Sequence, residues 1–287
     1  MAETSSEGAV SFDPRIVLRP RTLDEVFDLT FAYLRTYSRD FRRLFALQLL
    51  LGISLVVLLR EVLEQTWPVI WAAAFVLSPL TEKVTLVFGG DHLFGNAPRR
   101  RLALRRVARR IVPVLVGAII VPLPVLPALL LSLADETSLG FAVMASLFWP
   151  FLLAWFLYFN AALLLENLDL PGAFRRSSRL ISFRFGRALV FVVVAFNIRL
   201  FFVVSFEFLC RFVVSFVLQL GNPFGHLFED FGSYPSVLAF LLAAPIIALA
   251  RMFDYVDTRT RLEGWDLQVR FKALVTKEPA TRVRSVA

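Results

Sequence analysis

Six runs of about twenty apolar residues decide what this chain can become. They cover Leu44–Leu63, Trp67–Phe88, Ile111–Ala134, Leu139–Leu165, Ala188–Leu209 and Pro235–Tyr255. A helix rises 1.5 Å per residue, so each run is about long enough to cross a ~30 Å hydrocarbon core. The second is interrupted by Ser78-Pro79 and Glu82-Lys83, and the fifth could extend to Leu220. Hydrophobic residues make up 57% of the 287 and the mean hydropathy is +0.68, well above a soluble domain. Thirty Phe with no strand-like alternation in the runs point to lipid-facing helices and against a β-barrel. The expected fold is all-α and membrane-integral, with six spans.

Charge supplies an orientation. The net charge is +8, carried by 28 Arg and 3 Lys against 23 acids. Of those 31 cations, 26 lie in four segments: the N-terminal arm, Gly89–Arg110, Glu166–Arg187 and the tail after Asp257. The three intervening loops, near Gln65, Asp135–Ser138 and Gly221–Tyr234, contain none. By the positive-inside rule both termini are expected in the cytoplasm, which requires an even number of spans. The expected location is an inner (cytoplasmic) membrane. A pI near 10.3 would suggest nucleic acid in a soluble chain; here anionic phospholipid is the expected partner, other membrane proteins are the further candidates, and no nucleic acid is expected. No cleavable signal peptide is visible, because the first apolar run begins at Leu44 behind many charges.

The basic segments have a shared design. Pro98–Arg110 packs seven arginines into thirteen residues, with Ala103, Leu104, Val107, Ala108 and Ile111 forming one helical stripe. Arg99, Arg100, Arg101, Arg105, Arg106, Arg109 and Arg110 are then candidates for lipid headgroup contact. Near the start, Thr22-Leu-Asp-Glu25 reads as a capping box. It opens an amphipathic helix with Leu23, Val26, Phe27, Thr30, Tyr33 and Leu34 on one face. The segment from Pro171 carries Arg175, Arg176 and Arg179, further headgroup candidates, with Phe174, Ile181, Phe185 and Ala188 on a narrow apolar face. Copies starting at Pro20, Pro98 and Pro171 suggest three repeats of an interfacial helix followed by two spans.

Three stretches resemble a known family: RPRTLDEVFDLTFAYLRTYSRDF, FGNAPRRRLALRRVARRIVPVL and FDYVDTRTRLEGWDLQVRF. Together with the order of features, they resemble the six-span membrane domain found ahead of some glycerophosphodiester phosphodiesterases and in stand-alone bacterial proteins. The resemblance implies an accessory component of a membrane assembly. The phosphodiesterase chemistry of that family belongs to a separate soluble barrel, so the resemblance brings no catalytic residue to this chain.

Few residues could carry chemistry. One cysteine, Cys210, excludes an intramolecular disulfide, and His92 and His226 lie far apart. No metal site, catalytic constellation or cofactor is expected, and the chain reads as a non-enzyme. Asp91-His92 lacks a Ser or Cys elbow, and Gly89-Gly90 before it reads as a turn. Polar residues inside spans are costly and point to function by default. Glu82, Asn160 and Arg199 fall in the inner half of the bundle and could meet there. Two readings stand: a polar path for a substrate, with Pro79 breaking the helix, or a structural ion pair. Glu207 and Arg211, spaced i, i+4, read as an interfacial pair. Asn197 could support Arg199. Pro113, Pro122, Pro124 and Pro127 predict a bent third span. Trp265–Lys272 alternates like a strand, and residues 1–18 and 274–287 lack any periodicity and are expected to be disordered.

The expected function is accessory or scaffold work within a membrane assembly. The alternative is a small transporter or lipid-handling protein using the Glu82, Asn160 and Arg199 region.

Overall fold

The computed structural model describes residues 16–94, 100–120, 148–221, 224–228 and 232–265. These are helical, with no strand among them. In chain order the helices are α1 (Leu23–Thr36), α2 (Ser38–Val62), α3 (Trp67–Leu93), α4 (Arg100–Arg109), α5 (Ile111–Ile120), α6 (Phe148–Leu165), α7 (Leu170–Ser182), α8 (Phe185–Val217) and α9 (Tyr234–Glu263). Five of them, α2, α3, α6, α8 and α9, are long and apolar enough to cross a membrane. The expected third span is described only in part, as α5. The rest of it, Pro122, Pro124, Pro127, the start of the expected fourth span, Arg99, the Trp265–Lys272 pattern beyond Trp265 and both chain ends lie outside the described residues.

The centre of the bundle is α9. Within its apolar window 78% of residues are buried, against 11% for α2 and 22% for α8. It packs against α3, α8, α2 and α1. The outer helices instead turn Leu50, Leu51, Val57 and Leu58 of α2, and Phe196, Phe201, Phe208 and Phe216 of α8, away from the protein. Apolar surface this continuous suits hydrocarbon and would be an aggregation patch in water.

Local sequence explains the boundaries. Glu25 closes the start of α1 by accepting the Thr22 N–H at 3.0 Å. A break at Tyr37 separates α1 from α2, so Arg39, Arg42 and Arg43 belong to the first spanning helix. Both α2 and α8 end in π turns, Leu58–Val62 and Phe212–Val217, and α8 therefore runs well past Leu209. α9 ends at Gly264, whose φ of 59° is the left-handed C-cap geometry glycine favours. Its start is fixed by Ser233, whose hydroxyl accepts the Ser236 N–H.

Two local expectations are corrected. Pro79 does not break α3, which is continuous from Trp67 to Leu93. Gly89-Gly90 is not a turn either. Both lie inside α3, where a Cβ on Gly89 would sit 2.6 Å from Leu249 Cδ2 and one on Gly90 2.6 Å from Leu165 Cδ2. The pair lets α9 and α6 approach the α3 backbone, a packing use of glycine that mimics a turn signal in sequence.

A candidate intramembrane anion site

Glu82 lies eleven residues before the end of α3, about 16 Å along the helix from its arginine-rich end. Its side chain is 8% exposed. Oε1 accepts from Arg199 Nη2 of α8 at 2.7 Å, and Oε2 accepts from Arg251 Nη1 of α9 at 2.9 Å. Ser78, one turn earlier on α3, lies 3.5 Å from Oε1. Lys83, the next residue, borders the same space and donates to the Val114 carbonyl of α5 at 3.1 Å. Arg199 also lies over the Phe240 ring, 4.4 Å from its centroid.

The charges do not balance. Two guanidiniums face one carboxylate, and Lys83 lines the same cavity. These groups wall a cavity of about 130 Å³ between α3, α6, α8 and α9. Phe75, Trp149, Phe156, Phe196 and Phe240 supply much of its apolar lining, and Asn160 reaches it from α6. Three buried polar atoms at this cavity have no hydrogen-bond partner among the described residues: Arg199 Nε, Arg251 Nε and Asn160 Oδ1. Buried polar atoms are nearly always paired, so three open valences around one cavity point to a ligand or water that completes them. In a medium of low dielectric such surplus positive charge favours an anion over a neutral or cationic group.

The structure thus brings Glu82 and Arg199 into contact and sets Asn160 on the same cavity, without a hydrogen bond to either. Sequence reasoning missed Arg251, although a lone arginine in an apolar run was the available signal. Asn197 does not serve Arg199; its Nδ2 donates to its own helix at Val193 O, 2.8 Å. Glu207 does not make the expected helix pair. It is buried and takes the Leu227 N–H at 3.3 Å and the Ser233 hydroxyl, donors that the chain leading into α9 brings to it, while Arg211 is exposed. Asp91 and His92 also separate. Asp91 meets Arg106 at 3.1 Å, while His92 Nε2 lies 3.1 Å from Asp40 and Nδ1 meets the Tyr33 hydroxyl.

Some of the candidate headgroup arginines are engaged within the protein. Arg110 donates to the carbonyls of Leu163, Asn167 and Leu168, tying α4 to the end of α6. Arg176 pairs with Glu166 at 3.1 Å and with Glu263. These partners hold the Arg176 pKa above its ordinary value against the opposing effect of burial. Arg101, Arg105, Arg109, Arg175 and Arg179 are exposed, and Arg100 is half-buried.

A second ionic cluster lies at the arginine-rich end. Asp254 and Asp257 of α9 are buried. Asp254 takes Arg187 at 2.8 Å and the Tyr158 hydroxyl at 2.6 Å. Asp257 takes Arg187 at 3.0 Å, Arg261 at 3.1 Å and Arg184 at 3.5 Å. Arg21, just before α1, closes it through its carbonyl, which accepts from Arg187 at 2.9 Å and Arg261 at 2.6 Å. Both carboxylates and Arg187 have more than one partner, and the contacts lock α1, α6, α8 and α9 together.

No group of three or more His, Cys, Asp or Glu among the described residues could hold a metal ion. No family model, curated protein or solved structure matches this chain.

Proposed function

We propose that the chain is a multi-pass membrane protein that takes an anionic ligand into the bundle at Arg199 and Arg251. One observation carries this reading: two guanidiniums share a single carboxylate on the wall of a cavity that also gathers three unpartnered polar atoms. A purely structural ion cluster needs no cavity beside it. The Asp254–Asp257 cluster also carries surplus charge, three arginines for two carboxylates, but its residues line neither cavity. Handling of a lipid or another anionic solute is therefore preferred over a scaffold role. The reading involves no bond-breaking step and names no catalytic residue.

Six spans in three repeats, with both termini in the cytoplasm of a bacterial inner membrane, belong to the same proposal. Five apolar helices support its outline, and the arginine distribution supports its orientation. Arg101, Arg105, Arg109, Arg175 and Arg179 are then the headgroup-facing set, each contributing about 1 kcal/mol at an anionic surface.

The test uses the full chain purified in dodecyl maltoside, with octanoate and octanol as probes and tryptophan fluorescence as the readout, since Trp149 lines the cavity. Octanoate is expected to bind at least roughly tenfold more tightly than octanol, and Arg251→Met to remove that preference. Equal binding of the acid and the alcohol would overturn the reading.

A further inference from the structure

A second cavity, of about 380 Å³, adjoins the first toward the Trp67 end of α3. Phe75, Phe196, Arg199 and Phe240 border both. Apart from Arg199, the other nine residues around the second cavity are apolar, among them Trp71, Leu200, Val204 and Phe228. Its rim is open on the side of α8 that faces away from the protein, where Phe196, Leu200 and Phe228 are 51%, 48% and 67% exposed. In a bilayer that side meets hydrocarbon.

We propose that the two cavities form one site for a single-chain, long-chain acyl anion. The head group, a carboxylate or phosphate monoester, sits against Arg199 and Arg251, and the chain passes Phe75 and Phe240 into the outer cavity. The proposal rests on the anion reading above and adds the chemical class of the ligand. Three features favour this occupant. Charge is confined to one end of the combined space, which is the pattern of an amphiphile. The distance along α3 from Glu82 to Trp71 is eleven residues, about 16 Å, or half of a ~30 Å hydrocarbon core, the length of one leaflet's acyl chain. The lateral opening lets a chain enter from the membrane without crossing water. Arg199 stands at the junction, since its guanidinium pairs with Glu82 while lying over the Phe240 ring that borders both cavities.

The test compares octanoate with hexadecanoate on the full chain in dodecyl maltoside. The wild type should bind hexadecanoate roughly 100-fold or more tightly than octanoate, from burial of the added methylenes. Leu200→Trp, on the open rim, fills the outer cavity and should bring hexadecanoate down to the octanoate affinity. Octanoate binding by the variant serves as its own control for folding, and Val204→Phe repeats the test should Leu200→Trp fail it. A hexadecanoate brominated near its far end should quench more of the tryptophan fluorescence in the wild type than in Trp71→Phe, and equal quenching would overturn the placement of the chain in the outer cavity. Equal affinities for the two acids in the wild type would overturn the acyl placement while leaving the anion reading intact. Failure of both acids to bind, or unchanged binding of both by Arg251→Met, would defeat the anion reading itself. Displacement of hexadecanoate by a lower concentration of dipalmitoyl phosphatidylglycerol would overturn the single-chain assignment.

Discussion

Arg251 of α9 and Arg199 of α8 reach the same carboxylate from two helices, at 2.9 and 2.7 Å from the two oxygens of Glu82. Glu82→Ala leaves two cations facing one another in a buried site. Breaking a buried ion pair by removing one partner costs about 3–5 kcal/mol. Arg251→Met leaves Glu82 and Arg199 matched one to one, and its cost should lie near the about 1.5–3 kcal/mol of a hydrogen bond to a charged group. Denaturant unfolding in micelles should rank Glu82→Ala as the more damaging. The triple change Glu82→Leu, Arg199→Met, Arg251→Leu should recover most of the stability while abolishing anion binding. The reverse ranking of the single variants would show that the cations are not held by Glu82.

Tyr158 and Asp254 provide a separate check at the arginine-rich end. The Tyr158 hydroxyl is buried, donates to Asp254 at 2.6 Å and lies 2.9 Å from Thr258 Oγ1. Tyr158→Phe keeps the ring against Tyr255 and removes only the hydroxyl. The expected loss is about 1.5–3 kcal/mol, because the bond is to a carboxylate that stays buried. Octanoate affinity should not move, since Tyr158 does not line the anion cavity. A loss of affinity with unchanged stability would mean that the two clusters are coupled.

The helices were legible because length and 3.6-residue periodicity are properties of single segments. Of the Ala103, Leu104, Val107, Ala108 and Ile111 stripe, Ala103 and Val107 are buried and the other three exposed, while Val26, Phe27, Thr30 and Tyr33 mark the inner face of α1. What a segment cannot encode is its neighbour. Gly89-Gly90 was read as a turn because the approaching Leu249 and Leu165 come from distant stretches. Glu82 and Arg199 were visible as costly residues at similar depth, yet Arg251, 169 positions from Glu82, was not connected to them. Glu207 was assigned to Arg211 on spacing alone, whereas its partner Ser233 arrives with α9. Periodicity finds faces; the partners across a bundle follow from topology.

Gly232 and Gly186 separate packing from conformational freedom. A Cβ on Gly232 would lie 2.7 Å from two atoms of the Trp67 indole and 2.8 Å from its Cβ, a rigid group near its own backbone. Trp67 is buried and packs edge-on to Tyr234. Gly232→Ala should cost about 1–3 kcal/mol as overpacking. At Gly186, in the first turn of α8, nothing lies within 4 Å of the added carbon. Gly186→Ala should stabilise by about 0.4–1 kcal/mol through the unfolded chain. Thermal unfolding of both variants checks the pair, and a neutral Gly232→Ala would show that the loop moves freely off Trp67.

Acid should loosen the start of α1 before it reaches the rest of the chain. Glu25 accepts hydrogen bonds from Arg19 at 2.8 Å and from the Thr22 N–H at 3.0 Å. The Arg19 guanidinium first, and the Thr22 amide second, hold the Glu25 pKa down to about 2 from an ordinary 4.5. A carboxylate with a depressed pKa binds protons more readily in the unfolded state. Its contribution is therefore complete above pH 4.5 and is lost as the pH falls toward 2. Amide hydrogen exchange in α1, compared with α9, should accelerate across that window in the wild type. Glu25→Gln keeps an acceptor but removes the titration, so its α1 exchange should already be faster at pH 6 and show a flatter dependence below 4.5. The same acceleration in Glu25→Gln as in the wild type would assign the acid response to another group.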